Sequence, residues 1–235
     1  MGGRGASSSI AKGSKAGNKG QDNLEQYLGK RGNPMSIEDS LKSINDWNRG
    51  QEYQYNCQSC ATSFEATQRG YDVEAVGHGK GKPYFPNADG KQNYWYDVYE
   101  GVKPARVGND AYNKMIDANN IYDKYNYSKK SLSFMGIEGR TKVLNTANQI
   151  EKEMKSYGDG SRATLMVAWK GRGNSGHIMN VVNKGGQVFC ADAQTGKTFK
   201  VSDVLSFAKK GSALTRVDDL KFNSNIQYLT KKKGE

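Results

Sequence analysis

The chain has 235 residues, a net charge of +11 from 35 Lys and Arg against 24 Asp and Glu, and a hydrophobic content of 35%. It contains no apolar run of the roughly 18–20 residues a membrane span needs, and "MGGRGASSSIAKGSKAGNKG" lacks the apolar core of a secretory signal; the expectation is a soluble, cytoplasmically made protein without a signal peptide. Three cysteines and two histidines are too few for a disulfide framework or a four-ligand zinc site without carboxylate help, so no metal is expected.

Residues 1–33 are rich in Gly, Ser, Lys and Asn and read as a disordered basic arm. Much of the positive surplus lies there and in "LTKKKGE", the distribution of solvated tails, with 229–235 as a basic tail; a nucleic-acid surface on the arm is the alternative reading. "NPMSIEDSLKSIN" predicts a first helix, with Ser36 as its cap, Asp39 at the capping-box position, and Ile37, Leu41 and Ile44 as its apolar stripe. "NCQSCATSFEATQRG" predicts the next, capped by Asn56 and stopped by Gly70, and "YDVEAVG" a short strand. From 78 to 135 the chain reads as a variable insert or lid, loop-like to 108, with an exposed His78 and helical spacing over 109–121.

Helical spacing recurs over 138–156, followed by the strands "RATLMVAWK", "GHIMNVVNK" and "GQVFCAD". The Gly185-Gly186 pair predicts a hairpin between the last two. Ser202 or Asp203 is expected to cap a short helix, and "ALTRVDDLKF" to add an edge strand. Helices first and an antiparallel sheet last argue for an α+β fold, with one domain over 34–228.

Across the hairpin, residues near 177–178 should lie opposite residues near 192–193, so His177 and Asp192 can meet. A carboxylate there would orient the imidazole and stabilise its protonated form; a surface ion pair is the bland alternative. Upstream, Cys57 and Cys60 fall in the first turn of a predicted helix, where unpaired N–H groups and the helix dipole favour a thiolate and can cradle an oxyanion. The same two cysteines also fit burial as small apolar residues, or a redox pair.

"NCQSCATSFEATQRGYDVEA" followed by "GDGSRATLMVAWKG" and "GHIMNVVNKGGQVFCADAQTG" resembles the papain-fold toxin and deamidase family (Tox-PL), found in bacterial polymorphic toxins and phage minor head proteins. The resemblance spans 36–200 and rests on three motifs in order: Asn-Cys-x-x-Cys, a Gly-His strand and Asp-x-Gln-Thr-Gly. It implies a papain-like cysteine hydrolase fold in which a nucleophile helix packs on a sheet bearing His and Asp. It further implies a cofactor-free glutamine deamidase of toxin or effector type, with Cys57, His177 and Asp192 as triad and Cys60 as alternative nucleophile. Gln54 would supply an oxyanion amide, Asn56 the helix cap, and Gln194 would support the active-site loop. A papain-like protease, a transglutaminase and a non-catalytic module of a phage or mobile element are the alternatives. The implied partners are a protein substrate, an immunity protein or a phage head; the implied setting is a bacterial cytoplasm, with delivery to a target cell. The 78–135 segment matches none of the family's motifs, which leaves substrate choice open.

Overall fold

The structure is a computed structural model and describes residues 22–79, 82, 85–107, 134–171 and 175–234. Among these, the helices α1 (Asp22–Leu28), α2 (Ile37–Ser43) and α3 (Cys57–Thr67) precede a short strand β1 (Val73–Ala75). Next come β2 (Pro104–Val107), β3 (Phe134–Ile137), β4 (Thr141–Leu144) and α4 (Ala147–Ser156). The chain continues through β5 (Arg162–Ala168), β6 (Gly176–Lys184), β7 (Gln187–Asp192), β8 (Lys197–Lys200), α5 (Val201–Phe207), β9 (Ser212–Arg216) and β10 (Thr230–Lys232).

The β6–β7 hairpin organises the main sheet. Gly185 and Gly186 have φ of +60° and +77°, the left-handed pair that a two-residue primed turn requires, and Lys184 faces Gln187 across it. Around this hairpin six strands run antiparallel in the order β4-β9-β5-β6-β7-β8. Both faces of its centre are covered, so β5 and β6 are buried on both sides along most of their length, the polar Thr164, Asn180 and Asn183 included. Leu165, Val167, Met179, Val181 and Cys190 pack against Ile150 and Met154 of α4 and Val201 and Val204 of α5. On the other face Val182 and Ala191 meet Cys60 and Phe64 of α3. Each such side chain taken fully from water is worth about 1.5–3 kcal/mol, which clamps α3 to the sheet.

Ser36 caps α2 as expected: its hydroxyl accepts from the Asp39 N–H, while Leu41 and Ile44 are buried. Gly70, at φ +93°, lies against the Gly32 carbonyl, where a Cβ would collide. The fold class is the expected α+β.

Several boundaries differ from expectation. The unstructured arm cannot extend to residue 33, because α1 begins at Asp22 and buries Leu28 with Leu24 and Tyr27 packed nearby; residues 1–21 lie outside the described residues. The expected basic tail contains β10, which pairs with β1 after a buried Leu229. The 78–135 segment is not all a detachable lid: Trp95, Tyr96, Val98 and Tyr99 are core residues, whereas the helix expected over 109–121 lies outside the described residues. The helix expected over 138–156 is split, since Thr141–Leu144 pair with β9 and α4 starts only after the Thr146–Gln149 capping box. β9 is an interior strand, hydrogen-bonded to both β4 and β5, not an edge. Neither Ser202 nor Asp203 caps α5, whose N-cap is Lys200 without a side-chain bond.

Candidate active site

Cys57 opens α3 and is half-buried, while Cys60, one turn on, is 1% exposed. The Cys60 thiol donates to Oδ1 of Asn56 at 3.3 Å. Burial first, then the nearby Cys57 and Asp192 charges, push the Cys60 thiol well above its ordinary range. Cys60 therefore sits protonated between the helix and the sheet, and Cys57 is the thiol beside His177.

His177 enters at the open end of β6, just after Gly176, where any Cβ would stand 2.8 Å from the Val167 carbonyl. Pairing places His177 opposite Val167 and Asn180 opposite Ala191. His177 and Asp192 are thus diagonal on one face, two positions from the directly opposed pairing, within reach of long side chains. Nε2 of His177 lies 3.1 Å from Oδ2 of Asp192. The ring N–H misses the line to that oxygen, so the contact is an ion pair at poor hydrogen-bond angle. With Nε2 towards Asp192, Nδ1 is the ring nitrogen left for Cys57. Burial alone would lower the imidazole, but Asp192 and then Cys57 raise it to about 10. Asp192 is itself buried, which would raise its carboxyl; His177, the Thr195 hydroxyl at 2.9 Å and the Gln194 N–H at 3.1 Å hold it below the ordinary carboxylate range.

The Asp192 loop is tied to α3 by a carboxamide network. In the orientation that satisfies its surroundings, Gln194 turns its side-chain oxygen to the backbone N–H groups of Asn56 and Cys57, each at 3.1 Å. Gln194 thus performs the capping expected of Asn56. The Asn56 side chain makes no cap bond; its amide donates to Asn45 Oδ1 at 2.9 Å and to the Val76 carbonyl at 3.1 Å. Asn45 in turn donates to the carbonyls of Tyr53 and Gln194, at 3.0 and 2.9 Å. Gln54 is exposed, with its amide at 3.4 Å from the Trp47 carbonyl.

Two neighbours were not singled out from the sequence. Asn45 is the hub just described, and only tertiary structure brings it to residues 56 and 194. Trp169 stacks on His177 with centroids 6.1 Å apart and planes 25° apart. Its position was in principle readable, because it lies two residues past Val167, the cross-strand partner of His177. His78, expected to be exposed, is 7% exposed and packs its ring 5.2 Å from Phe85; burial lowers its pKa. Among the described residues no cluster of three or more His, Cys, Asp or Glu side chains could hold a metal ion. No helix among them is long and apolar enough to cross a membrane.

Residues 55–197 match the family model described as papain fold toxin 1, glutamine deamidase. The chain belongs to this family. The matched span takes in Cys57, His177, Asp192 and Gln194 and leaves Asn45, Trp47 and everything from α5 onward outside it. No curated protein and no solved structure matches the chain.

Proposed function

We propose that this papain-fold deamidase hydrolyses the side-chain carboxamide of a protein glutamine, with Cys57 as nucleophile, His177 as acid and base, and Asp192 as the carboxylate that orients and charges His177. The observation that carries the reading is the His177 ring held between Asp192 and Cys57. The Cys57 thiolate attacks the carboxamide carbon, and His177 gives its proton to the departing nitrogen, releasing ammonia and leaving a thioester. Water, deprotonated by His177, then attacks the thioester and expels the thiolate, so the glutamine becomes glutamate. With the Cys57 N–H engaged by Gln194, the oxyanion falls to the Gln54 carboxamide, whose 3.4 Å contact with Trp47 is too long to restrain it. Converting a neutral amide to a carboxylate on a partner's surface is a means of disabling that partner, which fits an effector or toxin.

The test is peptide mass spectrometry on a bacterial lysate treated with the wild type and with Cys57→Ala, Cys60→Ala and His177→Ala. The expected result is amide-to-acid conversion at particular glutamines, kept in Cys60→Ala and lost in Cys57→Ala and His177→Ala. New peptide termini would instead assign a protease, and amine cross-links a transglutaminase.

A further inference from the structure

A cavity of about 490 Å³ lies just past the C-terminal end of α3, the end away from Cys57, with Gln68 and Arg69 in its wall. Four cationic side chains line it, Arg31, Arg69, Arg162 and Lys221, from segments far apart in the chain. Three of them are held in place. Arg69 and Arg162 share the buried Glu65, and Arg31 donates through Nε to the Arg69 carbonyl at 2.7 Å. Lys221 is exposed and makes no ion pair among the described residues.

The charges on this wall do not balance. Glu65 answers one of the two guanidiniums that flank it. Asp218, which also lines the cavity, is taken by Arg216 in a two-pronged pair at 3.0 and 3.1 Å. The exposed Glu100 is then the other carboxylate facing four cations, which leaves a surplus of two positive charges. Donors are in excess as well. A guanidinium carries five N–H groups, and Arg69 and Arg162 each make three hydrogen bonds, so each retains two. Their side chains are 15% and 17% exposed, so water reaches those donors only from the cavity.

We infer that this cavity binds a small oxyanion of the phosphate class, carrying two or more negative charges. A phosphate dianion matches the surplus, and its oxygens accept from more than one guanidinium fork at once. Recognition is by charge rather than by ring stacking. Phe222, the aromatic residue beside Arg69, is 4% exposed and already covered by that guanidinium at 4.1 Å and by the Tyr99 ring at 5.4 Å. Binding here is independent of the reaction proposed at Cys57. An occupied cavity ties the end of α3 to Arg31, β5 and the 218–222 segment, so occupancy is read as added stability.

The test uses the full-length chain with inorganic phosphate and pyrophosphate, against acetate and chloride at matched ionic strength. Pyrophosphate at about ten times its Kd should raise the melting temperature by about 3–5 °C, and acetate and chloride should not. Arg31→Gln with Lys221→Gln, both exposed and outside the Glu65 cluster, should weaken pyrophosphate about tenfold in calorimetric titration and leave the ligand-free melting temperature unchanged. Glu100→Gln should tighten it several-fold, because it removes a carboxylate that opposes the ligand. The same loss of charge elsewhere, Lys184→Gln with Lys210→Gln, should leave the affinity at the wild-type value. Equal weakening in that control would assign the binding to net surface charge and overturn the inference. An equal shift with acetate, or no binding of either phosphate at millimolar concentration, would also overturn it.

Discussion

The two ends of α3 both bury charge, and they do so in opposite ways. At the C-terminal end Glu65, fully buried, accepts from Arg69 Nε at 2.8 Å and from Arg162 at 2.7 and 2.9 Å. Arg69 also donates to the carbonyls of Val217 and Leu220 and lays its guanidinium 4.1 Å over Phe222. Both Glu65 oxygens are engaged, and the three ions cannot shift without leaving one bare. At the N-terminal end His177 stands between two partners, its contact to Asp192 is off-angle, and Cys57 is only half-buried. The Glu65 charge is saturated; the His177 charge, on the proposed mechanism, retains a bond it can still make.

The sharpest way to break that contrast is to remove the imidazole. His177→Ala should lower kcat/KM for ammonia release by about 10⁴-fold per folded molecule, roughly 5.5 kcal/mol of barrier, and should also lower the melting temperature because the buried Asp192 loses its partner. A loss of only tenfold would show that the N-terminal end is also architecture. Asp192→Asn should cost about 10³-fold, since the ring loses the carboxylate that orients and charges it.

That same change should alter the pH profile. His177 is raised to about 10 in the folded protein, so the stability from its pairing is complete below about 6.5 and is lost as pH rises through about 10. Asp192 is depressed, so its share is present above about 3.9 and is lost as pH falls through its lower folded value. On the proposed mechanism the imidazolium is the proton donor, so ammonia release should fall on the alkaline side near pH 10 in the wild type. In Asp192→Asn the fall should come at lower pH; an unmoved limb would assign it to another group.

At the other end of α3, Glu65→Gln should cost about 3–5 kcal/mol in a denaturant titration by stranding two buried guanidinium groups, while activity per folded molecule is kept. Loss of activity at unchanged stability would erase the distinction between the ends. Asn45→Ala should lower kcat about tenfold with KM unchanged, because the Gln194 loop and Asn56 lose their common anchor. Smallest of all, Ser36→Ala should cost about 1 kcal/mol of stability and no activity, since that cap serves α2 alone.

What was legible in the sequence was what local rules decide. The Gly185-Gly186 turn, the Ser36 cap, the Gly70 stop and the α+β class all follow from contacts a few residues apart. The order of Cys57, His177 and Asp192 was readable, and the turn length brought the last two to one face, although the register put them diagonal. β9 was misplaced because strand order depends on contacts far along the chain, and "SALTR" reads alike at an edge and in the interior. Asn56 shows how a helix-start residue can be recognised while its side chain is drawn away, here to Asn45 and Val76, with Gln194 as the substitute cap. In α1, the Leu24, Tyr27 and Leu28 spacing is a helical stripe that the Gly- and Lys-rich surroundings obscured.

The pairing of β1 with β10 has a consequence for the protein's birth. The Ser59 hydroxyl, inside the first turns of α3, donates to the carbonyl of Leu229, and Ala75 pairs with Thr230. At translation rates of roughly 5–20 residues per second, α3 waits on the order of ten seconds or more for the segment that seats it. Over that interval β4 also lacks its partner β9 until residue 216 has emerged. The helix that bears Cys57 and the strand β1 that follows it thus gain their C-terminal partners only once the last strand, ending at Lys232, has been made. The helix that carries Cys57 therefore completes its packing only when the last strand is in place.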